Sequence, residues 1–160
     1  MLLLTLVSIA SGSVCSDLLE GMRHDFTLLR SFDSERDHLQ QRLLKSASRL
    51  DMAPTDVEIK TKYEHDMNAR NQLALSMKDT GVALKDKLIL LQVCSKGTPI
   101  QHHTDAAVSE LHELHSKTRA QMRPGLSNIE YVQLGFHAMQ VIDSIFDRLF
   151  ENTSSITITV

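Results

Sequence analysis

A chain of 160 residues is long enough for one domain with a real core and too short for two ordinary ones. Hydrophobic residues at 42% and charged residues at 23% exclude an intrinsically disordered chain. A net charge of −3 without any Lys/Arg cluster sets nucleic acid aside as a partner.

Aromatics are only 4%, with no Trp, while six Gly and three Pro leave few places to turn. Sheets pack with aromatic and β-branched side chains, so this composition predicts a small number of long helices. No apolar run reaches the roughly 20 residues that span a bilayer.

The N-terminus, MLLLTLVSIASGSVCSD, carries an apolar run from Leu2 to Ala10 followed by small residues at Ala10-Ser11-Gly12. Residues 1–12 read as either a signal peptide or a disordered apolar appendage. No Lys or Arg precedes the run, and it is shorter than the usual 15–30 residues of an export signal.

From Ser16-Asp17 the spacing becomes helical. Leu18, Leu19, Met22, Phe26, Leu29, Phe32, Leu39, Leu43, Ala47 and Leu50 recur at steps of three and four, predicting a first helix over 17–51. Phe32-Asp33-Ser34 is a candidate break, and Arg36 interrupts the seam.

Asp51-Met52-Ala53-Pro54 ends that helix, and Thr55-Asp56-Val57-Glu58 reads as a capping box opening a second over 55–96. Its apolar positions are Tyr63, Met67, Ala74, Met77, Leu84, Leu88 and Leu91. Arg70 and Gly81 mark interruptions, Gly81 being the second place where a long helix would break.

Lys96-Gly97 is a C-terminal stop, and Thr98-Pro99-Ile100-Gln101 offers a second box with Pro at the first helical position. The third helix, 99–122, carries Leu111, Leu114 and Met122. Arg123-Pro124-Gly125 then stops it. Ser127-Asn128-Ile129-Glu130, flanked by Leu126 and Tyr131, starts the fourth helix over 127–151, with Val132, Phe136, Met139, Ile142, Phe146 and Leu149 on its apolar face.

The tail 152–160 alternates β-branched and polar residues as a strand would, and reads as a flexible end. Val160 offers a hydrophobic PDZ-type or sheet-edge contact.

Short loops force antiparallel neighbours. The expected fold is therefore all-α: an antiparallel four-helix bundle over 17–151, elongated, with a long coiled-coil-like hairpin and a shorter helical pair packed along one end. In such a hairpin Cys15 and Cys94 arrive level at the open end, where a disulfide would close a long loop.

Chemistry is sparse. There is no glycine-rich phosphate loop, G-x-S-x-G elbow or C-x-x-C pair, so no enzyme and no cofactor is expected. His112 and His115 are the weak metal candidates, but His112-Glu113-Leu114-His115 falls one residue short of the H-E-x-x-H zinc spacing. Asn152-Thr153-Ser154 is an N-glycosylation sequon.

Two readings of function follow. One is a helical interaction protein, a coiled-coil subunit or adaptor that docks onto partner helices or onto a second copy. Its seam would be Leu29, Phe32, Leu39, Leu43, Met67, Met77, Leu84, Leu88 and Leu91. The other is a small secreted helical bundle, a receptor ligand of cytokine type, held by Cys15–Cys94. The compartment stays open between the two.

Overall fold

The computed structural model describes the backbone of residues 2–154 and the side chains of residues 14–154. Residues 155–160, most of the expected tail, lie outside the described residues, as does the contact proposed for Val160. Five helices follow in order: α1 (Leu2–Arg30), α2 (Asp33–Met52), α3 (Val57–Cys94), α4 (Gln101–Gln121) and α5 (Asn128–Ser154). The all-α expectation holds, and no strand occurs among the described residues.

The first expected helix is two helices. At Ser31 and Phe32 the backbone shifts to shorter bonds, from Phe32 N to Leu29 O, and α2 restarts at Asp33 without a side-chain cap. Asp33 and Glu35 in its first turn suit the positive end of the helix dipole. The break is braced by charge, with Arg30 and Arg36 both reaching Asp33, at 2.8 and 3.1 Å.

By contrast α3 runs unbroken through Gly81 for 38 residues, about 57 Å. A Cβ at position 81 would meet nothing within 4 Å. Gly81→Ala is therefore expected to stabilise the protein by about 1 kcal/mol, read as a raised denaturant midpoint with an unchanged slope.

At the N-terminus α1 begins at Leu2, well ahead of the expected start at 17. Ser16-Asp17 therefore lies inside a helix and caps nothing. The apolar run holds good helix formers and no Pro, so nothing in it stops helix propagation.

The helices pack as α1 and α2 end to end along α3, with α5 against α2 and α4 and a lesser contact to α1. Two apolar clusters result. The larger joins Cys15, Leu19, Met22 and Phe26 of α1 to Leu84, Leu88 and Leu91 of α3, Ala107 of α4, and Ile145, Phe146 and Leu149 of α5. The smaller joins Leu43 and Ala47 of α2 to Val132 and Phe136 of α5, with Tyr63 and Met67 of α3 packed against it. Because α5 lines both clusters, the α4–α5 pair is not confined to one end as expected.

The seam arginines Arg36 and Arg70, and Arg30 beside the break, become cross-links to α5. Arg36 meets Asp143 at 2.7 Å, and Arg30 meets Asp147 at 3.1 Å. Arg70 lies over the Tyr131 ring, 5.5 Å from its centroid.

Of the three expected capping boxes one forms as drawn. Ser127 Oγ accepts from Glu130 N, and Glu130 Oε2 accepts from Ser127 N, both at 3.2 Å. At α3 the cap is Asp56, accepting from Ile59 N at 3.1 Å, one residue after the Thr55 expected for that role. At α4 Thr98 turns back to Ser95 O, and Gln101 Oε1 accepts from Gly97 N instead. Gly97 and Gly125 take left-handed φ values of 76° and 90° in the turns after α3 and α4, two and three residues beyond the C-caps Ser95 and Met122.

A cap of another kind comes from across the fold. The Asp51 carboxylate accepts from Asn128 N, Asn128 Nδ2 and Ile129 N, each at 2.9 Å, tying the end of α2 to the start of α5. Burial pushes this carboxyl up, but the bonds from the Ile129 and Asn128 amides outweigh it and hold it below the ordinary carboxylate value. A lowered folded value means the contribution is complete above about pH 4 and is lost as pH falls through that folded value. Asp51→Ala is expected to cost about 2 kcal/mol at pH 7, and less in urea melts below pH 3.

Candidate interaction surface

Cys15 of α1 and Cys94 of α3 meet at the open end of the hairpin, Cα to Cα 5.7 Å, and form a disulfide. Cys15 is fully buried in the larger cluster, so the bond is part of the core and not an external clip.

The expected docking seam is used inside the chain. Leu39, Leu43, Leu84, Leu88 and Leu91 are buried in the bundle, Leu29 and Met67 pack against its clusters, and Phe32 and Met77 are half-buried. These side chains are already covered by neighbouring helices.

The opposite face of α3 is apolar as well. Leu75, Val82, Ile89 and Val93 are 60%, 50%, 49% and 63% exposed, so none of them is buried by the described residues. At 100° per residue, positions 75, 82 and 89 lie within about 40° of one another, on the far side of α3 from Leu84, Leu88 and Leu91. α3 is thus apolar on two faces, and only the inner one is satisfied.

This stripe has ordered flanks. Lys78 and Lys85 lie to one side of it, Asp79 and Asp86 to the other, all four exposed. None of the four makes an ion pair among the described residues, although Lys87, two residues on, pairs with Asp25 of α1. The denser apolar periodicity of α3 lies on its inner stripe and masks these positions in the sequence. The signal was legible as a seven-residue repeat, Leu75-x-x-Lys78-Asp79-x-x-Val82-x-x-Lys85-Asp86-x-x-Ile89.

The histidine candidates stand apart from this surface. His112 and His115 are exposed on α4, and no group of three or more His, Cys, Asp or Glu among the described residues is placed to hold a metal. Glu35 and His38 make one Glu-x-x-His spacing on α2, also exposed, where di-iron bundles need that pair on two helices. Asn152 is exposed but sits within the last turn of α5, not after the helix. Its neighbour Thr153 is buried and bonded to Leu149 O.

Two of the surface depressions hold only about 60 and 90 Å³, against the several hundred that bury a metabolite. No described helix is long and apolar enough to cross a membrane.

No family model matches the chain, and no match emerges among the curated proteins or the solved structures. The outer face of α3 carries exposed branched aliphatics at helical spacing, bordered by charges of both signs without ion-pair partners among the described residues.

Proposed function

We propose that this chain is a non-enzymatic interaction protein, a helical bundle that docks through one amphipathic helix face onto a helical partner. The observation that carries the reading is the second apolar face of α3. A bundle whose core closes on itself gains nothing from four half-exposed aliphatic side chains in a row, and such stripes are where helices recruit helices. The docking surface in this reading is the outer face of α3, in place of the inner seam.

The Cys15–Cys94 bond favours the secreted form of the same reading, since disulfides persist in oxidising compartments. Intact-mass measurement on protein from its native source separates the two compartments. A bonded pair with residues 1–12 removed is the expected result for export, and two free thiols on a full-length chain would place the protein in a reducing one.

The docking reading is tested by native sizing in that same source. A complex larger than the chain should collapse to monomer on Val82→Glu/Ile89→Glu. A native species already at monomer size would end it.

A further inference from the structure

We infer that the outer face of α3 binds a second copy of the same face, as a parallel, in-register helix pair. The inference rests on the reading of that face as the docking surface and names its occupant.

Three features converge on a second copy. First, the stripe is periodic: Leu75, Val82 and Ile89 repeat at intervals of seven, so each meets its own counterpart when two α3 helices lie side by side in register. Second, the side chains at the three repeat positions are all branched aliphatics, Val82 and Ile89 β-branched, a size and shape that pack against themselves. Third, the flanks are self-complementary in one orientation only.

The orientation follows from symmetry. Two copies facing each other are related by a two-fold axis lying in their interface. If that axis runs along α3, the helices are parallel and the flanks swap sides, so Lys78 and Lys85 of one copy face Asp79 and Asp86 of the other. If it runs across α3, the helices are antiparallel and each flank stays on its own side, so lysines face lysines and aspartates face aspartates. The parallel pair gives all four unpaired charges a partner, and the antiparallel pair repels along both edges.

Among the described residues, the outer face of α3 stays open to this pairing. The helices that cover α3 lie on its inner side, where Lys87 reaches Asp25 of α1 and Gln92 reaches Asp105 of α4 at 3.4 Å. The apolar stripe with its flanks spans about 27 Å from Leu75 to Val93, roughly two and a half heptads. That length predicts a dimer that dissociates on dilution and weakens with salt.

The experiment uses the full chain, purified alone. Light scattering over a hundredfold concentration range should show the mass rising from one chain to two. Val82→Glu/Ile89→Glu should hold it at one chain with its circular dichroism and melting curve retained, because both side chains are half-exposed. A monomer at every concentration, or a dimer that survives this double change, overturns the inference.

Orientation is read by cross-linking. Leu75→Cys alone should form an interchain disulfide in the parallel pair, whereas a mixture of Leu75→Cys and Ile89→Cys chains linking 75 to 89 would show the antiparallel one and overturn it. If the purified chain is monomeric while the native complex still depends on Val82 and Ile89, the occupant is a different protein and the proposed function stands without the inference. If neither is seen, both fall.

Discussion

Reduction of Cys15–Cys94 is expected to lower the melting temperature by about 10–15 °C, the largest single effect any covalent change to this fold should have. The bond joins residues separated by 79 positions, so in the chain-entropy account it removes about 4.5 kcal/mol of freedom from the unfolded chain. For a chain of this size each kcal/mol moves the midpoint by about 3 °C. The effect should be local before it is global. Cys15 sits at the end of the bundle where α1 enters the core. Once the bond is open, α1 is held by Leu19, Met22 and Phe26 and by the Lys87–Asp25 pair. Amide exchange should therefore speed up first near residues 14–22, before α3 and α5 respond. Calorimetry with and without reductant checks the magnitude, and Cys15→Ala/Cys94→Ala checks that the bond itself is responsible. A melt that moves by less than about 3 °C would mean that the unfolded chain is already compact enough to gain little from the cross-link.

Arg42→Met should destabilise the protein by about 3 kcal/mol at pH 7, although Arg42 itself is half-exposed. The reason lies in its partner. Asp66 on α3 is fully buried, one carboxylate oxygen takes Arg42 at 2.6 Å, and the other has no partner. A surface ion pair would be worth less than 1 kcal/mol. Here the loss of Arg42 strands a charge that cannot reach water, and breaking such a pair from one side costs about 3–5 kcal/mol when both members are buried. The exposure of Arg42 places the expectation at the lower end. Removing the charge should recover most of it: Arg42→Met/Asp66→Asn is expected to unfold within about 1 kcal/mol of the parent in urea. If the double variant is as weak as the single one, Arg42 acts through its aliphatic stem against α3 and not through Asp66.

Much of the architecture was legible in the sequence because it is local. Gly97 and Gly125 turn the chain between helices through the one conformation that other residues avoid, and Ser127 and Glu130 satisfy each other within a single turn. The level cysteines followed from arm lengths in a hairpin. Phe32-Asp33-Ser34 and Gly81 were both candidate breaks that periodicity alone does not rank, and the chain breaks at the first while α3 passes through the second. Helix propensity at one glycine is about 1 kcal/mol, and two apolar clusters lining one continuous α3 outweigh it. The split between α1 and α2 is held by Arg30, Asp33 and Arg36 together with Asp143 and Asp147 of α5, partners more than a hundred residues away.

The candidate surface shows the same division more sharply. A helix apolar on two faces presents two seven-residue patterns, and periodicity ranks the denser one first. Leu84, Leu88 and Leu91 were therefore read as the docking seam, while Leu75, Val82 and Ile89 went unremarked. The amino-acid sequence by itself determined that this chain is helical, where its helices turn, and that its two cysteines come level. Only the tertiary structure decided which face of α3 the chain keeps for its own core and which it leaves in water. That choice is set by where α1, α2 and α4 pack, and packing depends on side chains brought together from distant parts of the chain.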